Sequence, residues 1–370
     1  MRKLKLLYKR IPYALKHPLQ NKYNKSIIEE KFDMQKDDNL KYLFKRNEAD
    51  TWKNNFHKLW GSNKNINEIL CAFTDDKIEL VKSCDKEEEG PILISVVKNE
   101  GHRIKSFINH YRVIGVKKFA ILDNNSNDGT REWLCNQDDC EVFLTHQPYS
   151  TYRREGWINR LLSHYGFNKW YIVVDSDEHL VYPDNEIIDI NQFISIIKDK
   201  GYSRVRSLML DMYPKEEINP DKTNIDSNYI SQYSYFDKDT YTVTEELGGL
   251  MVKGGPRQRI FNLDVYLTKH PIFYFQAGDI QGHSHYQYPY NKNQGLPCFS
   301  ALLHYKFLNS DLKKYEERVK SQSFYNGSEE YKQYLELFKN NKDITFYYEN
   351  SKKYDNSKSL LEIDFIKHLH

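Results

Sequence analysis

Short apolar runs alternate with amphipathic segments between Pro91 and Pro183, and this alternation limits the fold more than any other feature. The runs "ILISVV", "KFAILD", "EVFLTHQ" and "WYIVVD" are rich in β-branched and aromatic residues, as is typical of buried strands. Segments between these runs carry apolar residues at helical spacing, as in "GHRIKSFINHYRVIGV". Repeated strand–helix units predict an α/β fold in which helices cover a central, mainly parallel sheet.

Polar clusters follow three of these predicted strands at the point where each strand ends. The clusters are Lys98–Glu100, Asp123–Ser126 and Asp175–Glu178. Ligands bind beyond the carboxyl ends of the strands in sheets of this kind. A solvent-exposed loop is also polar, so the shared position of the clusters, rather than any one of them, predicts a binding site at this edge.

The last cluster places three carboxylates, Asp175, Asp177 and Glu178, within four positions. These like charges repel one another unless a positive group lies between them. Carboxylates at positions i and i+2 on a turn can coordinate a hard cation such as Mg²⁺ or Mn²⁺, which prefers oxygen ligands. We therefore predict Asp175 and Asp177 as ligands of a metal that clamps a diphosphate. A surface acidic turn is the alternative.

The net charge of +2 conceals a basic N-terminus on a mildly acidic body. The first 25 residues carry eight Lys or Arg and no acid, which leaves 46 basic and 52 acidic residues beyond them. Nucleic-acid binding needs basic residues spread over a face of the body, so we expect no nucleic-acid partner. Residues 1–25 also carry apolar positions at helical spacing, which indicates either a helix lying on anionic lipid or a solvated basic tail.

The cysteines and the N-terminus indicate the compartment. Five cysteines without a CxxC pair argue against a disulfide framework and a zinc site, and they favour a reducing environment. The N-terminus lacks the apolar core and cleavage site of a secretory signal, and the sequence has no apolar run long enough to span a membrane. We therefore expect a cytoplasmic protein, with peripheral contact at the inner face of the membrane if residues 1–25 bind lipid.

Changes in composition divide the chain into four parts. Residues 26–90, beyond the basic segment, are predicted as an N-terminal extension and linker because they are charged and end in "SCDKEEEG". Residues 91–310 hold the alternating units and form the predicted main domain. Residues 311–370 are predicted as a helical C-terminal region with an apolar stripe that includes Tyr315 and Tyr334.

The strand ends also carry a resemblance to a known family. The stretches "SVVKNEGHRIKSFINHYRVIGVKKFAILDNNSNDGTREWL" and "WYIVVDSDEHLVYP" resemble family 2-type glycosyltransferases of the GT-A fold, in a bacterial branch with Asn-Glu and DxDE motifs. The similarity continues through "GGPRQRIF" and "LLHYKFLNSDLKKYEERVKSQSFYNGSEEYKQYL" and covers roughly residues 91–340. It implies a GT-A-like layered fold for residues 91–310.

The resemblance implies roles for the first two strand ends and for the DxD pair. Residues at the strand ends would hold the base and ribose of the nucleotide, and the matching positions are Val97, Asn99, Glu100 and Asp123. The resemblance assigns Asp175 and Asp177 to ribose and metal contact. For Val97 and Asn99, strand packing and a turn cap are the alternatives.

A late histidine is the third expected metal ligand. His304 in "LLHYKF" matches the family's late histidine, and imidazole is a suitable partner for Mn²⁺. A satisfied core histidine is the alternative, because Leu302 and Leu303 precede it. His283 and His285 compete for the same role, since all three cannot be ligands.

Arginine and lysine candidates for the diphosphate, and acids for the catalytic base, complete the predicted site. Arg257, Arg259 and Lys306 are candidates for binding diphosphate oxygens, with exposed or carboxylate-paired positions as the alternative. An inverting transfer also needs a base that takes the proton of the acceptor hydroxyl. Asp211 and Glu246 are the preferred candidates, although neither falls in a recognisable base motif.

These features predict a metal-dependent glycosyltransferase that uses Mn²⁺ or Mg²⁺. The expected donor is a nucleotide-diphosphate sugar, in particular a UDP-sugar, and the expected acceptor is a bacterial surface glycan or its lipid-linked precursor. A nucleotidyltransferase of similar layered architecture and a glycan-binding protein without catalysis are the competing hypotheses. The crowded carboxylates argue against the latter, because a plain lectin does not need a diphosphate clamp.

Overall fold

The computed structural model describes residues 18–33, 48–60, 65–86, 89–218, 229–246, 249–322, 325–340 and 344–369. Residues 1–17 of the predicted basic segment therefore lie outside the described residues. Within the described part of the chain, no helix combines the length and the apolar composition that crossing a membrane requires.

Twelve α-helices lie within these ranges. They are α1 (Pro18–Lys31), α2 (Ala49–Trp60), α3 (Ile66–Thr74), α4 (Ile104–Val113), α5 (Thr130–Cys135), α6 (Thr151–Tyr165), α7 (Ile190–Asp199), α8 (Tyr229–Gln232), α9 (Gly255–Phe261), α10 (Asp311–Ser321), α11 (Tyr325–Asn340) and α12 (Lys358–Leu361). Helix α4 lies in "GHRIKSFINHYRVIGV", the segment in which the spacing of apolar residues predicted a helix.

Nine strands form the central sheet. They are β1 (Glu79–Lys82), β2 (Ile92–Val97), β3 (Lys118–Asp123), β4 (Cys140–Leu144), β5 (Lys169–Val173), β6 (Glu178–Val181), β7 (Arg204–Asp211), β11 (Thr268–Phe275) and β14 (Cys298–His304). Six shorter strands lie outside it: β8 (Tyr235–Asp237), β9 (Tyr241–Glu246), β10 (Gly249–Gly254), β12 (Ile280–His283), β13 (Tyr286–Tyr288) and β15 (Ser351–Lys353).

The central sheet is mixed but largely parallel. Its strand order is β1-β4-β3-β2-β5-β11-β7-β14-β6. Strands β4, β3, β2, β5, β7 and β14 run in one direction, whereas β1, β11 and β6 run against them. The predicted α/β fold with a central, mainly parallel sheet is thus confirmed, and the antiparallel strands are the feature that the alternation did not reveal.

Each face of the sheet carries its own apolar core. Along β2, Ile92 and Ile94 pack with α2, α3 and α6, whereas Leu93 and Val97 pack with α4 and α7. This alternation follows from the two-residue period of a strand. Because both faces are covered by helices, β2 and β3 read as nearly continuous apolar runs.

The segment predicted as an N-terminal extension and linker contributes to the domain. Helix α2 buries Trp52 and Phe56, and α3 packs closely on α6. Strand β1 pairs with β4 and forms one edge of the sheet. The charged composition of this segment concealed the apolar stripe that covers one face of the sheet.

The C-terminal helices enclose a third, smaller cluster of aromatic side chains. In it, Tyr315 of α10 and Tyr334 of α11 pack with Phe261 of α9 and Phe307. Both tyrosines belong to the apolar stripe predicted for residues 311–370. Helix α11 thereby packs near the end of β14, at the edge where the predicted site residues lie.

Candidate active site

Strand direction brings the predicted site residues to one edge of the sheet. Strands β2, β3, β5, β7 and β14 all end at this edge, and β6 and β11 begin there. Glu178, His304 and Asp211 lie side by side on neighbouring strands, because His304 pairs with Glu178 on β6 and with Asp211 on β7. The shared edge expected for the polar clusters is therefore present.

Asp177, Glu178 and His304 form a group that could hold a metal ion. One potential ligand atom from each residue lies within 4.8 Å of the other two. Glu178 and His304 are buried, whereas the side chain of Asp177 retains 22% of its exposure. Two carboxylates and an imidazole are a donor set suited to Mn²⁺ or a similar divalent cation. The residues present therefore fit a metal of the predicted kind.

The carboxylate of Asp175 lies beside two cations and outside this group. Its Oδ1 accepts a hydrogen bond from Arg154 at 2.6 Å, and its Oδ2 accepts one from Lys269 at 2.9 Å. Although burial opposes the charged form, Arg154 and Lys269 lower the pKa of Asp175. The group that could hold a metal contains Glu178 and not Asp175, and the role of Asp175 as a metal ligand stays a prediction.

Glu178 is tied to the same network. Its Oε1 lies 2.5 Å from Lys269 Nζ, and its Oε2 accepts a hydrogen bond from the backbone N–H of Asp175 at 3.1 Å. Burial raises the pKa of Glu178 even though Lys269 opposes this. Lys269 therefore links Asp175 and Glu178 and balances the carboxylates that the sequence left unexplained.

His304 is held by a carboxylate behind it. Its Nδ1 lies 2.6 Å from Asp211 Oδ1, and its Nε2 lies 3.5 Å from Asp177 Oδ2. Burial alone would lower the pKa of His304, but Asp177 and Asp211 together raise it. The ring is therefore fixed with one nitrogen on Asp211 and the other towards Asp177, as in many metal-binding histidines.

Asp211 has both carboxylate oxygens engaged. Besides the contact with His304, its Oδ2 accepts a hydrogen bond from Arg257 Nε at 2.7 Å, and the residue is 1% exposed. A general base has to reach the proton that it abstracts, directly or through one water. These contacts favour a role in holding His304 over the predicted role of Asp211 as catalytic base.

Glu246, the other candidate base, lies on the hairpin formed by β9 and β10. Its Oε2 accepts a hydrogen bond from the hydroxyl of Tyr266 at 2.6 Å. None of the contacts described for Glu246 joins it to Asp177, Glu178 or His304. The contact described for Glu246 is therefore the one with Tyr266, and its role as catalytic base stays a prediction.

The four residues that the resemblance assigns to the nucleotide lie at the ends of β2 and β3. Val97 is buried, and its carbonyl accepts a hydrogen bond from Asn124 N–H at 2.8 Å. Asn99 adopts a φ of 55°, and its side-chain oxygen accepts a hydrogen bond from Asn127 N–H at 2.9 Å. Both contacts agree with the packing and turn-capping alternatives for these two residues.

Asp123 keeps one buried oxygen without a partner. Its Oδ1 accepts a hydrogen bond from Ser126 N–H at 2.8 Å, while Oδ2 has no hydrogen-bond partner within the described ranges. Burial raises the pKa of this fully buried carboxyl. Glu100, which lies just beyond the end of β2, instead forms ion pairs with Arg103 at 3.0 Å and with Lys314 at 3.1 Å.

Arg103 connects parts of the site that the sequence did not associate. It is 2% exposed and donates a hydrogen bond to the carbonyl of Tyr305 at 3.1 Å. It also pairs with Asp311 at the start of α10 and lies 3.7 Å from Asp177. Because these partners are far apart along the chain, a pattern of neighbouring residues could not have identified Arg103.

The predicted diphosphate cations separate into two groups. Arg257 and Lys306 both approach Glu330 Oε1, at 3.4 Å and 3.2 Å. Arg259 instead makes two hydrogen bonds to Asp237, at 2.8 Å and 2.9 Å. All three cations are thus paired with carboxylates, as in the alternative given for them, but Arg257 and Lys306 also lie beside the metal group.

His283 and His285 lie on the hairpin of β12 and β13 rather than in the metal group. His283 accepts a hydrogen bond from the backbone N–H of His285 at 3.1 Å, and its ring stacks on Tyr286. His285 Nδ1 lies 2.9 Å from the carbonyl of Thr268. Of the three competing histidines, His304 is the one in the metal group.

Comparison with known proteins gives a distant link to glycosyltransferases. No protein-family model matches the chain. A glycosyltransferase family 92 protein from Oryza sativa subsp. japonica is 27% identical over 96 residues, which cover 25% of this chain. The match spans 16% of the rice protein, so the chain corresponds to a small part of that relative. The family 2 assignment stays a prediction.

Solved structures give weaker similarities. TarS from S. aureus matches with 15% identity and a TM-score of 0.25 over 34% of this chain and 22% of that one. HddC from Yersinia pseudotuberculosis matches with 12% identity and a TM-score of 0.25 over 51% and 74%. A UDP-glucose pyrophosphorylase complexed with UDP-glucose matches with 10% identity and a TM-score of 0.25 over 75% and 97%. TM-scores this low carry no functional argument.

Proposed function

We propose that this protein is a metal-dependent glycosyltransferase that moves a sugar from a nucleotide-diphosphate sugar to a bacterial surface glycan. The observation that carries the proposal is the group of Asp177, Glu178 and His304 at the carboxyl edge of the sheet, with Arg257 and Lys306 beside it. A metal group next to buried cations suits a donor that carries a diphosphate.

Each part of the edge has a task in this proposal. Asp177, Glu178 and His304 would hold Mn²⁺ or Mg²⁺, which when bound neutralises charge on a diphosphate leaving group. Arg257 and Lys306 would contact the diphosphate oxygens, and Asp211 would keep the His304 ring oriented.

The proposed donor is a UDP-sugar, held at the ends of β2 and β3. The Oδ2 of Asp123, which has no hydrogen-bond partner among the described residues, offers a buried acceptor for an N–H of the base. The distant similarity to the rice glycosyltransferase supports the reaction class. A hexose as the transferred sugar and inversion of configuration belong to the proposal, and Glu246 remains the predicted base because Asp211 is engaged by His304 and Arg257.

The proposal includes a place in the cell. We expect a cytoplasmic enzyme in which the basic residues of segment 1–25 contact the anionic inner face of the membrane. A lipid-linked acceptor would then lie within reach. Binding of the full chain to anionic vesicles, compared with neutral ones, tests this part independently of catalysis.

Turnover of nucleotide sugars tests the proposed function. The purified full chain is incubated with a panel of nucleotide sugars and Mn²⁺, and the released nucleotide diphosphate is measured with and without EDTA. We expect release from one class of donor, loss of release with EDTA, and a decrease of about 100-fold or more in the Asp177→Asn variant.

A matched control and a competing substrate make the result decisive. Asp138 is an exposed acid before β4, at the opposite edge of the sheet, so Asp138→Asn should keep full turnover. Nucleoside triphosphates with sugar phosphates form a second arm, and their consumption would point to a nucleotidyltransferase. Undiminished turnover in Asp177→Asn or in EDTA would refute the metal-dependent mechanism.

A further inference from the structure

Glu330 of α11 occupies the position between two of the site's cations. Its Oε1 lies 3.2 Å from Lys306 Nζ and 3.4 Å from an Nη of Arg257, and the hydroxyl of Tyr334 donates to the same oxygen. Although burial opposes it, the charges of Lys306 and Arg257 lower the pKa of Glu330 to about 2. A single carboxylate oxygen is thus the shared partner of three donors.

This position offers more hydrogen-bond donors than its carboxylates satisfy, even though Arg257 also pairs with Asp211. Arg257 and Lys306 are 4% and 9% exposed, and Glu330 is the carboxylate that they share. The Nη2 of Arg257 is buried, and no residue of the described ranges accepts a hydrogen bond from it. Buried donors are normally satisfied, so an unpaired guanidinium nitrogen beside a charged pair indicates a missing acceptor.

The position is also connected to the metal group. Arg257 donates to Asp211, which holds His304, and Lys306 follows His304 by two residues at the end of β14. An anion that contacts Arg257 and Lys306 therefore lies next to the residues proposed to bind the metal. Glu330, in contrast, comes from α11, in the region beyond the predicted main domain, and does not belong to the strand ends.

We propose that Glu330 is an intramolecular stand-in for a diphosphate, and that a diphosphate has to displace it from Arg257 and Lys306 in order to bind. Helix α11 then acts as a plug that keeps the cations paired when no donor is present. A diphosphate carries more charge and more acceptor oxygens than a carboxylate, so it can also satisfy Arg257 Nη2. This inference rests on the proposed function, since it concerns the donor's diphosphate.

Binding of inorganic pyrophosphate tests the displacement. Its dissociation constant is measured by calorimetry for the full chain, for Glu330→Gln and for the control Glu329→Gln. Glu329 lies on the same helix, is exposed and pairs with Lys332, so its replacement leaves the cations unchanged. We expect pyrophosphate to bind about tenfold more tightly to Glu330→Gln and with unchanged affinity to Glu329→Gln. Unchanged or weaker binding by Glu330→Gln would overturn the inference, because Glu330 would then support the site rather than occupy it.

A measurement on the unmodified chain covers the case in which Glu330→Gln does not fold. Hydrogen–deuterium exchange in α11 should become faster when pyrophosphate is added, because the contacts of Glu330 are broken. Unchanged or slower exchange would contradict the displacement. Failure of the proposed function is separate: the wild-type chain would then release no nucleotide diphosphate from any nucleotide sugar, whatever the affinity of Glu330→Gln for pyrophosphate.

Discussion

His304 Nδ1 lies 2.6 Å from Asp211 Oδ1, and the two residues are direct neighbours on the adjacent strands β14 and β7. The ring therefore donates from Nδ1 to Asp211 and directs Nε2 towards Asp177, 3.5 Å away. Such a carboxylate fixes both the tautomer and the orientation of a metal-binding histidine. The contact with Asp211 favours the interpretation of His304 as a metal ligand over that of a core histidine, a choice that the sequence alone left open.

Replacing Asp211 with Asn should weaken metal binding and stability together. The change converts one of the two accepting oxygens into an N–H donor, so the side chain can no longer accept from both His304 and Arg257. Losses of about 10- to 100-fold in metal affinity are typical when such a supporting contact is disturbed. It also removes the nearer of the two carboxylates that pair with the buried Arg257, which we expect to lower the free energy of unfolding by about 3 kcal/mol. Mn²⁺ titration and urea denaturation measure the two effects.

Asp237→Asn is the matched control for this change. Asp237 is likewise fully buried and pairs with an arginine, Arg259, but it does not contact His304. Its replacement should destabilise the protein to a similar extent and leave the Mn²⁺ affinity unchanged. Equal Mn²⁺ affinities for Asp211→Asn and the wild type would show that Asp211 has no part in orienting His304.

Lys269 should be essential for tolerance of the crowded carboxylates. Among the described residues, Lys269→Met leaves Asp175 paired with Arg154 and removes the ion pair of Glu178, so we expect a loss of about 3 kcal/mol in the free energy of unfolding. Lys253→Met is the control, because Lys253 pairs with the largely exposed Asp264 and should cost less than about 1 kcal/mol. Urea denaturation of both variants decides the matter, and equal losses would count against the role of Lys269.

His270 should make the protein less stable in acid. The ring is 2% exposed, neither ring nitrogen has a partner among the described residues, and burial lowers its pKa to about 3. A histidine of the unfolded chain has a pKa of about 6.5. Lowering the pH from 7 to 5 therefore protonates His270 in the unfolded state, whereas the ring stays neutral in the folded state. The native state therefore loses about 2 kcal/mol by pH 5 through this residue.

The variant His270→Phe removes this titration. Its free energy of unfolding, relative to that of the wild type, should rise by about 2 kcal/mol between pH 7 and pH 5, whatever its offset at pH 7. Urea denaturation at the two pH values gives the difference. A difference that stays constant with pH would mean that the folded protein accepts the proton on His270.

Gly156 should be required for the contact between α3 and α6. A Cβ at this position would lie 2.5 Å from the Cβ of Ala72 and 2.5 Å from the carbonyl oxygen of Ile69. Such overpacking typically costs between about 1 and 3 kcal/mol, so Gly156→Ala should lower the thermal unfolding midpoint. Ser163→Ala on the same helix removes one hydrogen bond to the carbonyl of Arg160 and should change the unfolding midpoint little. Equal midpoints for the two variants would argue against close packing of these helices.

Local patterns were sufficient to predict much of the framework. The apolar runs of β2 and β3 and the helical spacing in α4 reflect burial on the two faces of the sheet, which is encoded by neighbouring residues. The predicted strand in "WYIVVD" corresponds to β5, which ends at Val173, and the apolar residues beyond Asp177 form a separate strand, β6, at the far edge of the sheet. Strands β5 and β6 both contain apolar residues, so neither stretch indicates which strand it pairs with.

The charge partners of the site lay beyond sequence reasoning for a similar reason. Lys269 lies 94 positions from Asp175, and Arg103 lies 208 positions from Asp311. The sequence alone does not show which lysine or arginine pairs with each of these carboxylates, because the fold determines which of them lie close together. A spaced motif and a family resemblance pointed to Asp177 and His304, whereas the contacts of Asp175 with Arg154 and Lys269 depend on the fold.

Mn²⁺ binding, followed by electron paramagnetic resonance, tests the central claim that Asp177, Glu178 and His304 hold one divalent cation. The wild-type chain should bind one Mn²⁺ at this site, more tightly when UDP is present. Asp177→Asn and His304→Gln should each weaken binding at least about 10-fold, and Asp138→Asn should not change it. Wild-type affinity in Asp177→Asn and His304→Gln would contradict the claim.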